Sequence, residues 1–178
     1  MSHSAFQEWL AVDGARVAAF ARFEAMLTQE HVAEVVPNDG LWLVDRLSPE
    51  CVTAPYVMPP EDQWSNIAPT LRFIRDHVVP AIGPVRVVSA YRDDAFNTCI
   101  GGARRSAHRS YQALDLVPVA ADITRADLIE RLCELHAREG AAARIGMGIY
   151  SGVRFHIDAR GYRGWGGDHR GASFPCNS

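Results

Sequence analysis

The chain of 178 residues is 48% hydrophobic and 22% charged, with a formal net charge of -3 and a pI near 6.1. These values suit one globular domain with room for a core and a cleft, and they exclude a nucleic-acid binder that relies on a basic surface. All 18 basic residues are arginine, which excludes Schiff-base, phosphate-loop and serine–lysine chemistry. No apolar run nears the roughly 18 residues of a membrane span.

From about Ala5 to Glu34, residues Phe6, Trp9, Leu10, Val17, Phe20, Phe23 and Leu27 follow helical spacing, with Gly14 dividing the stretch. Residues 37–62 are rich in proline and lack a period, so an irregular segment with one short strand at Leu41–Val44 is expected. A helix over Asn66–Val79 follows, with Pro69 in its first turn and Pro80 closing it. Val85–Ser89 and Ala113–Val119 read as strands. Thr124–Glu139 reads as a helix that Thr124 caps and that carries Leu128, Leu132 and Leu135 on one face. Ile149–Tyr150 and Val153–Ala159 read as a hairpin turning at Ser151–Gly152. Helices first, then strands around one helix, predict an α+β single domain with a small, mostly antiparallel sheet. Residues 1–60 are expected to form a helical and irregular segment packed on a core of residues 61–178.

Four cysteines occupy positions 51, 99, 133 and 176 without the spacing of a zinc ribbon or redox motif. Cys133 lies in an apolar helical stretch and reads as a small core residue. Cys99 and Cys176 lie in loop-like surroundings, where a disulfide would form if the protein is exported. The written N-terminus lacks a basic segment followed by an apolar stretch, so no signal peptide is read in it. A cytoplasmic protein and a mature exported one both fit.

Three polar residues interrupt the strand pattern. In ALDLV, Asp115 shares its face with Ala113 and Val117 alone. A buried carboxylate needs a cation, which means an arginine or a metal. His108 lies seven residues earlier in a glycine-flanked loop. In VRFHIDAR, one strand face carries Arg154, His156, Asp158 and Arg160. That face is a wet sheet surface or the floor of a cleft. A His/Asp/His set supplies three protein ligands to zinc and leaves the fourth position open.

The order of SAYR at Ser89–Arg92, Asn97, Gly101–Gly102, SxH at Ser106–His108 and AxD at Ala113–Asp115 resembles the zinc D-Ala-D-Ala peptidases. That group includes murein endopeptidases, vancomycin-resistance dipeptidases and the hedgehog signalling domain. The closing GIY…FHIDxRGxRxW over Gly148–Trp165 is similar to one branch of the murein endopeptidases. The resemblance implies Zn2+ held by His108, Asp115 and His156. It implies that Arg92 stabilises the developing oxyanion or grips substrate, and that the Ser106 hydroxyl contacts substrate. Trp165 walls the cleft or packs the core, with packing the expectation.

Two positions depart from the pattern. Relatives usually carry a glycine where this chain has Tyr111, and many place an acid where it has Val153. Asp158 is the substitute, either as general base or as a residue orienting a ligand. His169 and Asp168 follow as alternatives for the base. The expected function is a zinc peptidase acting on peptidoglycan stem peptides or D-Ala-ended peptides in the periplasm or cell envelope. The alternatives are a catalytically inactive zinc-containing binding module and a cytoplasmic D-Ala-D-Ala dipeptidase. Nothing in the sequence sets the oligomeric state, and a monomer is the expectation.

Overall fold

The computed structural model describes residues 3–45, 48–52 and 54–177. Helices α1 (His3–Ala11) and α2 (Gly14–Gln29) divide at Gly14, where the Asp13 side chain accepts a hydrogen bond from the Ala15 amide at 2.9 Å and caps α2. Phe6, Phe20 and Phe23 turn inward onto the fully buried Trp42, and Leu27 joins the same core. The strand expected at Leu41–Val44 is absent. A 3₁₀ turn covers Asn38–Trp42, and only Leu43 bridges a neighbour, Tyr56. The adjoining Pro55 accepts from the Val44 amide but has no N–H to return, so pairing stops after one bridge.

The expected second helix is a composite. A 3₁₀ turn (Glu61–Ile67) leads into α3 (Ala68–Phe73), then a π turn (Ile74–Val78), then α4 (Val79–Ile82). Pro80 lies inside this helix rather than closing it. The Val79 amide reaches back five residues to the Ile74 carbonyl, so the ladder is already open where proline lacks its donor. Gly83, at a φ of 81°, ends the helix.

The remainder alternates strand and helix: β1 (Val85–Ser89), α5 (Asp94–Cys99), β2 (Ala113–Pro118), α6 (Arg125–Leu135), β3 (Gly146–Ile149), β4 (Phe155–Asp158) and β5 (Arg163–Trp165). Thr124 caps α6 through a reciprocal capping box with Asp127, as the sequence suggested, and a π turn (His136–Gly140) extends that helix. The five strands lie in the order β1-β2-β4-β3-β5, antiparallel except for β3 and β5. The fold is therefore α+β with a mostly antiparallel sheet. The third strand begins three residues before the expected Ile149, and the parallel β5 has no counterpart in the sequence reading.

Alternation gives the sheet two unlike faces. Leu114, Leu116, Phe155, Ile157, Met147 and Ile149 join Leu71 and Ile74 of the composite helix and Leu128 and Leu132 of α6 in one core. On the other face a cross-strand row joins Ser89, Asp115, His156, Gly148 and Trp165, one residue from each strand. The next row holds Ala113, Asp158, Gly146 and Arg163.

The cysteines pair as Cys51–Cys99 and Cys133–Cys176. This corrects both cysteine expectations. The C-terminal segment returns along α6, which brings Cys176 to Cys133, while the end of α5 meets the turn at Pro49–Cys51.

Candidate metal centre

His108 stands on a 3₁₀ turn (Ala107–Ser110), whose Arg109 amide bonds the Ser106 carbonyl. Its Nδ1 donates to the Ala90 carbonyl at 2.6 Å, which fixes the tautomer and turns Nε2 into the cleft. Asp115 and His156 are direct cross-strand partners on β2 and β4. His108 Nε2 lies 3.1 Å from His156 Nδ1 and 3.3 Å from Asp115 Oδ1, and the latter two atoms are 2.9 Å apart. All three side chains are buried.

Three donors at zinc's usual bond lengths and tetrahedral angles lie about 3.3 Å apart. The observed triangle matches that within a few tenths of an ångström. The fit extends outward, because each side chain has its remaining polar atom held elsewhere. Ala90 holds His108, Arg92 Nη2 reaches Asp115 Oδ2 at 2.5 Å, and Asp158 Oδ2 lies 2.9 Å from His156 Nε2. Of the two readings weighed for Asp115, the arginine partner is present at Oδ2, and Oδ1 faces His108 and His156 in a group able to hold a metal.

The electrostatics follow from this packing. Burial and the neighbouring Arg92 charge lower the His108 pKa to about 4, so its imidazole is neutral and offers a lone pair at neutral pH. Burial opposes ionisation of Asp115, but the Arg92 charge and the hydrogen bonds from His108 and His156 hold it well below the ordinary range. Burial also opposes charge on His156, yet its hydrogen bonds to Asp115 and Asp158 raise its pKa. Asp158 is lowered to about 2; burial acts against this, and the bond from His156 outweighs it.

The centre opens into a cleft of about 750 Å³ lined by Arg92, Ser106, Tyr150, Arg154, Trp165 and His169 among others. Arg92 is largely committed, with Nε donating to Ser89 Oγ at 3.0 Å as well as Nη2 to Asp115. The Ser106 hydroxyl makes no cap to the turn that follows and lines the cleft. Asp158 is fully buried on the far side of the His156 ring. There it also takes Arg163 Nη2 at 2.6 Å and the Arg160 amide at 2.9 Å. Trp165 walls the cleft, its ring centre 5.0 Å from that of His156, where packing in the core was expected. Val153 packs against the core. Of the two tail residues, His169 lines the cleft, while Asp168 is exposed and accepts from the Arg170 amide of its own loop.

Tyr111 adopts a left-handed backbone at a φ of 52° and is fully buried, pointing away from the cleft toward Phe23. Left-handed backbone is where glycine is easiest, which accounts for the glycine usual in relatives. Sequence reading missed Asp45, Arg105, Tyr150 and Arg163 as cleft residues. The available signal was Gly146 and Gly148, alternating in GMGIY. A Cβ at Gly146 would lie 2.6 Å from Asp158 Oδ2, and one at Gly148 would lie 2.5 Å from the Trp165 indole nitrogen.

The model of the Peptidase M15 family matches residues 48–158, well over half of the chain. The chain belongs to the Peptidase M15 family. The match takes in all three converging side chains of the metal centre and runs from the turn before Cys51 to the end of β4. It begins upstream of Ser89, where the motifs of the resemblance start, and stops before Trp165. No curated protein and no solved structure matches the chain. Membership makes this M15 chain a peptidase-type hydrolase with a buried His/Asp/His group able to hold a metal. Among the described residues, no helix is long and apolar enough to cross a membrane.

Proposed function

We propose that this M15 chain is a zinc peptidase that hydrolyses peptidoglycan peptides containing D-amino acids. The observation that carries the reading is the convergence of His108 Nε2, Asp115 Oδ1 and His156 Nδ1 within 3.3 Å of one another, each side chain oriented from behind. When bound there, zinc supplies a Lewis acid for the peptide carbonyl and for the attacking water. The chain supplies the rest. Arg92 fixes Asp115 and keeps it ionised. Asp158 acts on the reaction through His156, since its oxygens are spent on that ring, Arg163 and the Arg160 amide. His169, on the cleft wall, takes the role of proton acceptor. Ser106 offers a hydroxyl to the substrate.

Substrate charge is read from the arginines. Arg92 and Arg163 are paired with Asp115 and Asp158, whereas Arg105 and Arg154 have no carboxylate partner among the described residues. Two free guanidinium groups suit a peptide bearing carboxylates, as D-Ala-ended stem peptides do. In this reading residues 61–178 carry the chemistry, and the packed segment 1–60 lends Asp45 and Ser48 to the cleft. Two disulfides support an oxidising compartment and hence the cell envelope.

A non-ionisable Val153, where many relatives keep an acid, favours a second reading, a zinc-containing module that binds peptide without cutting it. One experiment separates the two. Zinc-loaded protein is incubated with purified peptidoglycan and with short D-Ala-ended peptides, and products are identified by mass spectrometry. New fragments establish the peptidase. Saturable binding with intact peptide establishes the module.

A further inference from the structure

Arg92, the cation expected to meet negative charge on the substrate, has two of its nitrogens engaged by Asp115 and Ser89. The opposite wall of the cleft holds an uncommitted donor. Tyr150 follows β3 two residues after Gly148, so its side chain shares the face on which Gly148 pairs with His156. It lines the cleft with the metal-centre residues and is only 7% exposed.

The Trp165 indole nitrogen lies 3.4 Å from the Tyr150 hydroxyl oxygen. An indole N–H can only donate, so the phenol oxygen accepts there and keeps its own hydrogen for another partner. Among the described residues no acceptor takes that hydrogen. The bare Gly148 allows the indole to sit over the strand, between the His156 ring at 5.0 Å and the Tyr150 hydroxyl. The Arg154 guanidinium lies 4.2 Å from the centre of the Tyr150 ring and adds positive charge beside the phenol. Burial pushes the Tyr150 pKa upward, so the group remains a donor at neutral pH.

Building on the peptidase reading, we infer that the Tyr150 hydroxyl is a catalytic hydrogen-bond donor to the scissile carbonyl oxygen, strengthening as that oxygen gains negative charge. The proton stays on Tyr150 throughout. Trp165 is a positioning residue that acts through Tyr150.

Tyr150→Phe removes the donor and keeps the ring against Arg154. Loss of one such donor lowers kcat by about a hundredfold. The KM for the cleaved peptide, the zinc content and the melting temperature should stay near those of the parent. Affinity for a phosphinic peptide, whose tetrahedral oxyanion mimics the attacked carbonyl, should fall by a similar factor, while affinity for the product peptide holds. Trp165→Phe should lower kcat in the same direction by less. An unchanged kcat in Tyr150→Phe overturns this inference and leaves the peptidase reading standing. So does a reduced kcat with undiminished phosphinate affinity. A parent protein that cleaves none of the peptides overturns the peptidase reading and this inference with it.

Discussion

Replacing Tyr111 by the glycine of its relatives should destabilise the protein, although it relieves a backbone conformation that tyrosine tolerates poorly. Tyr111 has a φ of 52° and a ψ of 42°, and a non-glycine residue there costs about 1–2 kcal/mol. Against that gain stands the burial of the whole side chain. The ring lies 6.2 Å from those of Phe23 and Tyr91, and the hydroxyl donates to the Leu41 carbonyl at 3.0 Å. Truncating a buried aromatic costs about 3–5 kcal/mol, and glycine loses roughly a further 0.5–1 kcal/mol in backbone entropy. The balance is about 3 kcal/mol of lost stability. Tyr111→Phe keeps the ring and should lose only about 1–2 kcal/mol, chiefly from the stranded Leu41 carbonyl. Urea unfolding of the three proteins at constant slope measures both numbers. The Tyr111 amide closes the turn onto the His108 carbonyl at 3.2 Å, a backbone bond that both variants keep. A glycine variant as stable as the parent would refute the claim that packing, not backbone conformation, decides this position.

Asp158→Asn should weaken zinc binding by about ten- to a hundredfold, with activity returning in excess zinc, because His156 loses the carboxylate behind it; competition with a chelator reads this directly. Normal affinity with a lost rate would instead make Asp158 the base. Arg92→Ala should strand the buried Asp115 carboxylate oxygen and cost stability of about 3–5 kcal/mol, with Arg92→Lys rescuing only in part because a point charge lacks the second prong toward Ser89; chemical denaturation decides. In EDTA-treated protein, NMR should show His108 taking up its proton near pH 4. The unfolded chain takes up that proton near pH 6.5, so this residue makes stability fall as acid is added between those values, whereas His156, shifted upward, contributes stability that is lost as pH rises through its folded value. Reducing Cys51–Cys99 and Cys133–Cys176, which close loops spanning 48 and 43 residues, should cost about 4 kcal/mol each in the chain-entropy model and lower the melting temperature accordingly; calorimetry with and without reductant checks it.

The legible parts of the fold are those whose pattern is local. Val85–Ser89 is a short valine-rich run of the kind that forms strands, and Thr124 with Asp127 announces a helix start within four residues. Asp115 was conspicuous because a carboxylate between Leu114 and Leu116 has no place on a buried strand without a cation. What escaped depends on distant neighbours. Pro80 reads as a helix end unless the π turn before it is known. Cys133 reads as a core residue until the C-terminal segment brings Cys176 to it. Leu41–Val44 looks extended, but the partner it would pair with contains Pro55.

The site itself combines both kinds of information. His108, Asp115 and His156 are visible as chemistry, yet what makes them a centre is the row that runs Ser89, Asp115, His156, Gly148, Trp165 across all five strands. Two members of that row work by what they lack or lean on. Gly148 has no side chain, and that space seats the indole, which in turn reaches the Tyr150 hydroxyl. Gly146 does the same one row away for Asp158 and Arg163. A glycine in a strand weakens it locally, so two of them in the four residues of β3 represent stability given up for space. Alanine at Gly148 should therefore harm the cleft more than the fold: the sheet gains β-propensity while Trp165 is pushed off its seat. Zinc binding should survive, because the three atoms nearest that carbon all belong to Trp165. Peptide turnover should fall with it intact, and a variant that instead lost zinc first would show that the row is held together by the metal centre rather than by the space beside it.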